Sequence, residues 1–134
     1  MATNIFVNLA VKNLDKTKEF FSNLGYTFNQ QFSNDKGACM VISETIYAML
    51  ISEAYFKTFI PNKEISDTSK SKEVLLALSA DSRQQVDDLV DKAIAAGGKN
   101  FRDPDDHGFM YSRSFEDLDG HVWEVFWMDP AHVQ

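Results

Sequence analysis

The chain has 134 residues, 13 lysines and arginines against 20 aspartates and glutamates, and a formal net charge of -7. That length suits one compact core of about 100 to 150 residues, and 44% apolar with 25% charged residues is the composition of an ordinary folded globule. An acidic surface has no attraction for phosphate backbones or anionic lipid, and no glycine-rich phosphate loop is present, so neither a nucleic-acid nor a membrane role is expected.

Ile5 to Val11 alternates, with Ile5, Val7, Leu9 and Val11 on one face and Phe6, Asn8 and Ala10 on the other. This period-2 pattern predicts a strand whose aliphatic face lies beneath a helix. The helix follows at once. Asn13 is a cap, Leu14, Thr17, Phe20, Phe21 and Leu24 recur at helical spacing, and Gly25 closes the C-terminus. Three strands are predicted at Tyr26 to Phe32, Ala38 to Ile42 and Ile46 to Ser52, separated by turns at Asn34-Asp35-Lys36-Gly37 and Ser43-Glu44-Thr45. Glu53 to Lys72 changes character. It reads as a short aromatic turn or helix bearing Tyr55, Phe56 and Phe59, then a polar, exposed connector, with a spacer as the leading reading and a lid as the alternative.

The pattern then repeats. Val74 to Ala80 alternates as a strand, and Asp81 or Ser82 caps a helix through the box-like Ser82-Arg83-Gln84-Gln85. Val86, Leu89, Val90, Ala93 and Ile94 form the helix stripe, which Gly97-Gly98 ends. Strands are predicted near Lys99 to Phe101, Phe109 to Phe115 and His121 to Trp127, with Asp117-Leu118-Asp119-Gly120 as the last turn. The single cysteine, Cys39, lies in an apolar run and reads as a small buried hydrophobe. The opening Met1-Ala2-Thr3-Asn4 does not read as a signal peptide, and no apolar run reaches the roughly 20 residues that span a bilayer, so a cytoplasmic location is expected.

These elements predict one α+β domain over residues 1–134, made of two βαβββ modules at about 3–56 and 73–128 joined by a connector at about 57–72. The expected architecture is a curved mixed sheet around a central trough, helices outside. The arrangement resembles the vicinal oxygen chelate superfamily, which includes glyoxalase I, extradiol dioxygenases and bleomycin-resistance proteins. The residues carrying the resemblance are Phe6 to Leu14 with Phe20-Phe21 and Leu24-Gly25-Tyr26, and the closing Phe115-Glu116-Asp117-Leu118-Asp119-Gly120-His121-Val122-Trp123-Glu124.

The resemblance implies that members with a catalytic metal take one ligand from each of four strands, commonly His or Glu, leaving positions open for a substrate's adjacent oxygens. The matching positions fall on Phe6, Leu50, Leu75 and Glu124. Hydrocarbons donate no electron pair, and one carboxylate does not hold a divalent ion against water. No metal is therefore expected in the usual place and no cofactor, a divalent metal being the alternative.

Glu124 is the lone charge in Val122 to Trp127, either solvated or paired with Arg113, or else a general acid or base. The expected ligand-binding residues are Phe6, Asn8, Leu50, Leu75 and Phe126, with Tyr111 or Arg113 near the trough mouth. Trp123 and Trp127 have the opposite parity and are expected in the helix-facing core. The leading reading is a glyoxalase- or bleomycin-resistance-type protein that binds a small molecule, with a degenerate metal site; the resemblance implies a homodimer that sequesters its ligand. The alternative is an enzyme, similar to lactoylglutathione lyase or an extradiol dioxygenase, that uses Glu124 with ligands such as Glu44, Glu53 or His107. A third reading is an interaction module whose trough is filled by its own side chains.

Overall fold

The structure is a computed structural model and describes residues 3–132. Met1-Ala2, part of the segment read above for a targeting signal, lies outside the described residues. The chain divides into two compact units, the first ending at Ser66 and the second beginning at Asp67. The fold is the expected α+β class, and each unit carries its own mixed sheet.

In the first unit, strand β1 (Ile5–Val11) leads into helix α1 (Leu14–Asn23). Asn13 caps the helix as its side-chain oxygen accepts from the Lys16 N–H, and Gly25 turns the chain out at φ +103°. Three strands complete the unit, β2 (Thr27–Asn29), β3 (Gly37–Val41) and β4 (Ile46–Ser52), and the sheet order is β1-β4-β3-β2. β1 and β4 are parallel, in the register Phe6 to Tyr47 and Asn8 to Met49. Leu9, Val11, Ala38, Met40, Ala48 and Leu50 share the face that α1 covers with Phe20 and Phe21, and all are buried. Helix α2 (Glu53–Lys57) follows β4 and packs against β1 and β4.

The predicted strand Tyr26 to Phe32 is shorter than expected. β2 ends at Asn29, whose side chain accepts from the Gln31 N–H and starts a 3-10 turn over Gln30–Phe32. An asparagine that offers its own oxygen to the backbone competes with the ladder and ends the strand.

The second unit repeats this plan with β5 (Leu75–Ser79), α3 (Arg83–Ala95), β6 (Lys99–Asn100), β8 (Met110–Glu116) and β9 (Val122–Met128), in the order β5-β9-β8-β6. A further two-residue strand, β7 (Asp105–Asp106), pairs with β8 inside what the sequence presents as a loop. Ser82 caps α3 by accepting from the Gln85 N–H. Val86, Val90 and Ala93 of α3 are buried together with Phe115, Trp123 and Val125 of the sheet.

The second half of the connector is tied down. Thr68 donates to the Asp119 carbonyl at 2.6 Å, and the Lys72 ammonium donates to the Gly120 carbonyl at 2.7 Å and pairs with Glu116 at 3.1 Å. Gly120 has φ +81°, and a Cβ there would meet Thr68 Oγ1 at 2.5 Å. The turn is itself organised by Asp117, whose carboxylate accepts from the Asp119 and His121 N–H groups and from Trp123 Nε1 at 2.9, 3.0 and 2.9 Å. Burial pushes the Asp117 carboxyl up.

Candidate functional site

Side chains alternate across a strand, so the register of β1 on β4 decides which residues of the first unit can meet a ligand. Phe6, Asn8, Tyr47, Met49 and Ile51 stand on the face away from α1. Phe6 and Tyr47 stack with ring centroids 4.7 Å apart. Beside them is a cleft of about 350 Å³, walled by Phe6, Phe32, Met49, Ile51 and Tyr55 and edged by the polar Gln31, Ser33 and Asn34. The Lys36 ammonium lies 5.5 Å from the centre of the Tyr55 ring. A second hollow of about 310 Å³ lies among Asn8, Phe56 and Phe59, and Asn8 donates to the Phe6 carbonyl at 3.1 Å.

The sequence reading of Leu50 is corrected here. Leu50 pairs with Ala38 on the α1 side and is 0% exposed, so it does not line the cleft. Met49, one residue earlier, occupies the corresponding place beside Asn8. β4 is apolar on both faces, so alternation in the sequence carried no parity there, and only the backbone hydrogen bonds to β1 determine it.

In the second unit, the register of β5 and β8 on β9 puts Leu75, Ala77, Ser112, Ser114, Glu124 and Phe126 on one face. Leu75 is well exposed. Glu124 is paired with Arg102 at 2.5 Å, the carboxylate side chain 13% exposed and the guanidinium 45%. The sequence offered solvation or Arg113 as its partner; the carboxylate instead pairs with Arg102 and holds it more firmly protonated. Glu124 Oε2 and the hydroxyl of Ser114, its direct cross-strand neighbour, are buried and have no hydrogen-bond partner.

Tyr111 and Arg113 do not stand on this face. They share the other with Trp123 and Trp127, over α3. The Tyr111 hydroxyl donates to Asp87 at 2.6 Å, and Arg113 pairs with Asp87 and Asp91 at 3.1 and 2.9 Å. Burial and the Asp87 carboxylate push the Tyr111 phenol up. Arg83 lies over the Tyr111 ring at 4.5 Å while pairing with Asp106. The sequence signal missed was Asp87 and Asp91, four residues apart on one helix edge, where they receive a cation from the sheet below.

The family's metal asks for hard donors converging from four strands. With Met49 in place of Leu50, the four positions hold Phe6, Met49, Leu75 and Glu124. Two hydrocarbons, a soft thioether and a carboxylate already engaged by a guanidinium do not suit a hard divalent ion. Among the described residues no group of three or more His, Cys, Asp and Glu side chains is arranged to hold a metal. Of the alternative ligands, Glu53 opens α2, the Glu44 carbonyl accepts from Tyr47, and His107 pairs with Asp105 at 3.0 Å.

The family model for the Glyoxalase/Bleomycin resistance protein/Dioxygenase superfamily matches residues 5–125. Similar solved structures include a hypothetical protein from S. aureus, 28% identical over 95% of both chains with a TM-score of 0.80. A glyoxalase/bleomycin resistance protein/dioxygenase family enzyme from Burkholderia phytofirmans is 18% identical, covers 95% of this chain and 99% of its own, and also scores 0.80. A genomically encoded fosfomycin resistance protein from Listeria monocytogenes is 20% identical over 95% and 91% of the two chains, with a TM-score of 0.67. No curated protein matches the chain. With the strand order β1-β4-β3-β2 repeated as β5-β9-β8-β6 and the model spanning both units, the chain belongs to the Glyoxalase/Bleomycin resistance protein/Dioxygenase superfamily.

Proposed function

We propose that this protein binds a small, flat, largely apolar molecule in the cleft of its first unit and uses no catalytic metal. The observation that carries the reading is the substitution of Phe6 and Met49 at positions where metal-dependent relatives need hard ligands, together with an apolar cleft about 350 Å³ in volume beside them. Phe6 stacked on Tyr47 offers a preformed aromatic surface, and Tyr55 and Phe32 add aromatic edges. Offset or edge-to-face packing of a ligand ring against such groups contributes about 0.5–1.5 kcal/mol per pair beyond area burial. Gln31, Ser33 and Asn34 supply the few polar groups that orient a ligand. Binding without turnover accords with the bleomycin-resistance branch named in the family description.

A thermal-shift screen of aromatic antibiotics and glutathione thioesters, followed by amide shifts of the ¹⁵N-labelled chain, tests this. The expected result is saturable binding of at least one aromatic compound that Phe6→Ala weakens about ten-fold or more while the fold persists, since Phe6 is 44% exposed. Turnover of a glutathione thioester that requires an added divalent metal would overturn it.

A further inference from the structure

The second unit carries polar groups that the apolar cleft does not use. Glu124 gives one oxygen to Arg102 and keeps the other enclosed without a partner. Ser114 stands directly opposite Glu124 in the ladder, is 0% exposed, and its hydroxyl is likewise unpartnered. A buried polar group left unpaired is costly, and most such groups in native structures are satisfied by a protein partner, an ordered water or a bound ligand. Arg102 lies between β6 and β7 and is 45% exposed; among the described residues Glu124 is the sole hydrogen-bond acceptor of its guanidinium.

We propose that the Arg102–Glu124 pair is a binding site for a small organic acid that carries an O–H or N–H donor next to its carboxylate. A guanidinium is a planar fork that takes a carboxylate through two parallel hydrogen bonds. The ligand inserts into the ion pair. Its carboxylate replaces Glu124 on Arg102, and its donor satisfies the carboxylate so released, with the Ser114 hydroxyl alongside as donor or acceptor. The adjacent donor sets the specificity, because an acid without one leaves Glu124 buried and unpaired. On a chain of net charge -7, the guanidinium supplies the local positive charge that draws an anion to this position.

The test is a titration of the ¹⁵N-labelled full chain, followed by amide shifts, with glycolate, glycine and acetate. Glycolate or glycine is expected to shift Ser114 and Glu124 saturably, at least about ten-fold more tightly than acetate. The tighter of the two identifies the donor as hydroxyl or ammonium. Arg102→Ala should weaken that binding by about ten-fold or more, and Arg102→Lys by less, because a point charge keeps attraction but loses the fork. Equal affinity for acetate, no saturation by any of the three below about 50 mM, or binding unchanged in Arg102→Ala would overturn the proposal, as would a single ordered water found satisfying both groups. Phe6→Ala leaves this binding intact, so a failure here and a failure of the cleft reading are separable.

Discussion

Within each unit the strand order is the same, and the first strand pairs in parallel with the last, yet the faces away from α1 and α3 differ in chemistry. In the first unit that face is Phe6, Tyr47, Met49 and Ile51 beside a cleft, with Asn8 as its polar member; in the second, Leu75, Ala77 and Phe126 share it with Glu124, Ser112 and Ser114, and Arg102 is at hand. Topology fixes which positions project from a face, and the side chains at those positions decide what the face does. One unit has become an apolar surface, while the other keeps a carboxylate and gives it a guanidinium as its cation.

Substitutions in the two cores bracket the comparison from its strong end. Phe21→Ala, which empties a fully buried site under the first sheet, should cost about 3–5 kcal/mol by urea denaturation. Trp123→Phe leaves a smaller ring in the second core and removes the N–H that Asp117 accepts, so the lost hydrogen bond should cost about 1–3 kcal/mol and the lost volume adds to it. A cost below about 0.5 kcal/mol would mean that the turn does not need that donor.

The Asp117 carboxyl sharpens the second-unit account through pH. Its pKa is raised by burial, so the folded state holds the proton more tightly than the unfolded chain. The stability it contributes is therefore fully present below the unfolded value of about 3.9 and is lost as pH rises through the folded pKa. Measured against Asp117→Asn, the wild-type denaturation midpoint should fall across that window. A difference that grows with pH would show that the three donors, not burial, dominate.

Smaller effects separate the two uncovered faces. Arg102→Ala leaves the largely buried Glu124 carboxylate without its cation and should cost about 1–2 kcal/mol by thermal unfolding, more than loss of a fully exposed pair would. Ser114→Ala deletes a buried hydroxyl without a partner, so the ligand-free protein should be unchanged or gain up to about 1 kcal/mol. A loss instead would reveal that the hydroxyl is already satisfied.

Much of the fold was legible in the residues. β1 and β4 occupy the predicted spans Ile5 to Val11 and Ile46 to Ser52, and Asn13, Gly25 and Ser82 perform the capping and turning that their chemistry predicts. The buried Trp123 followed from its parity opposite Glu124. The site was less legible. Leu50 and Met49 are both apolar and adjacent, so no polarity contrast distinguishes the faces of β4. Tyr111 and Arg113 share one parity of β8 that reads equally well as facing a trough, and only the register on β9 turns them toward α3, where Asp87 and Asp91 pair with Arg113. Arg102 escaped notice because it lies outside any regular strand, where only the folded chain brings it to Glu124.

The central claim is that this member of the superfamily works without the metal of its catalytic relatives. Metal content of protein purified without chelator, and again after incubation with zinc, nickel, manganese and iron(II), tests it most directly. The account predicts far less than one divalent ion per chain and no change on Glu124→Ala. One tightly held ion per chain that disappears with Glu124→Ala would contradict it.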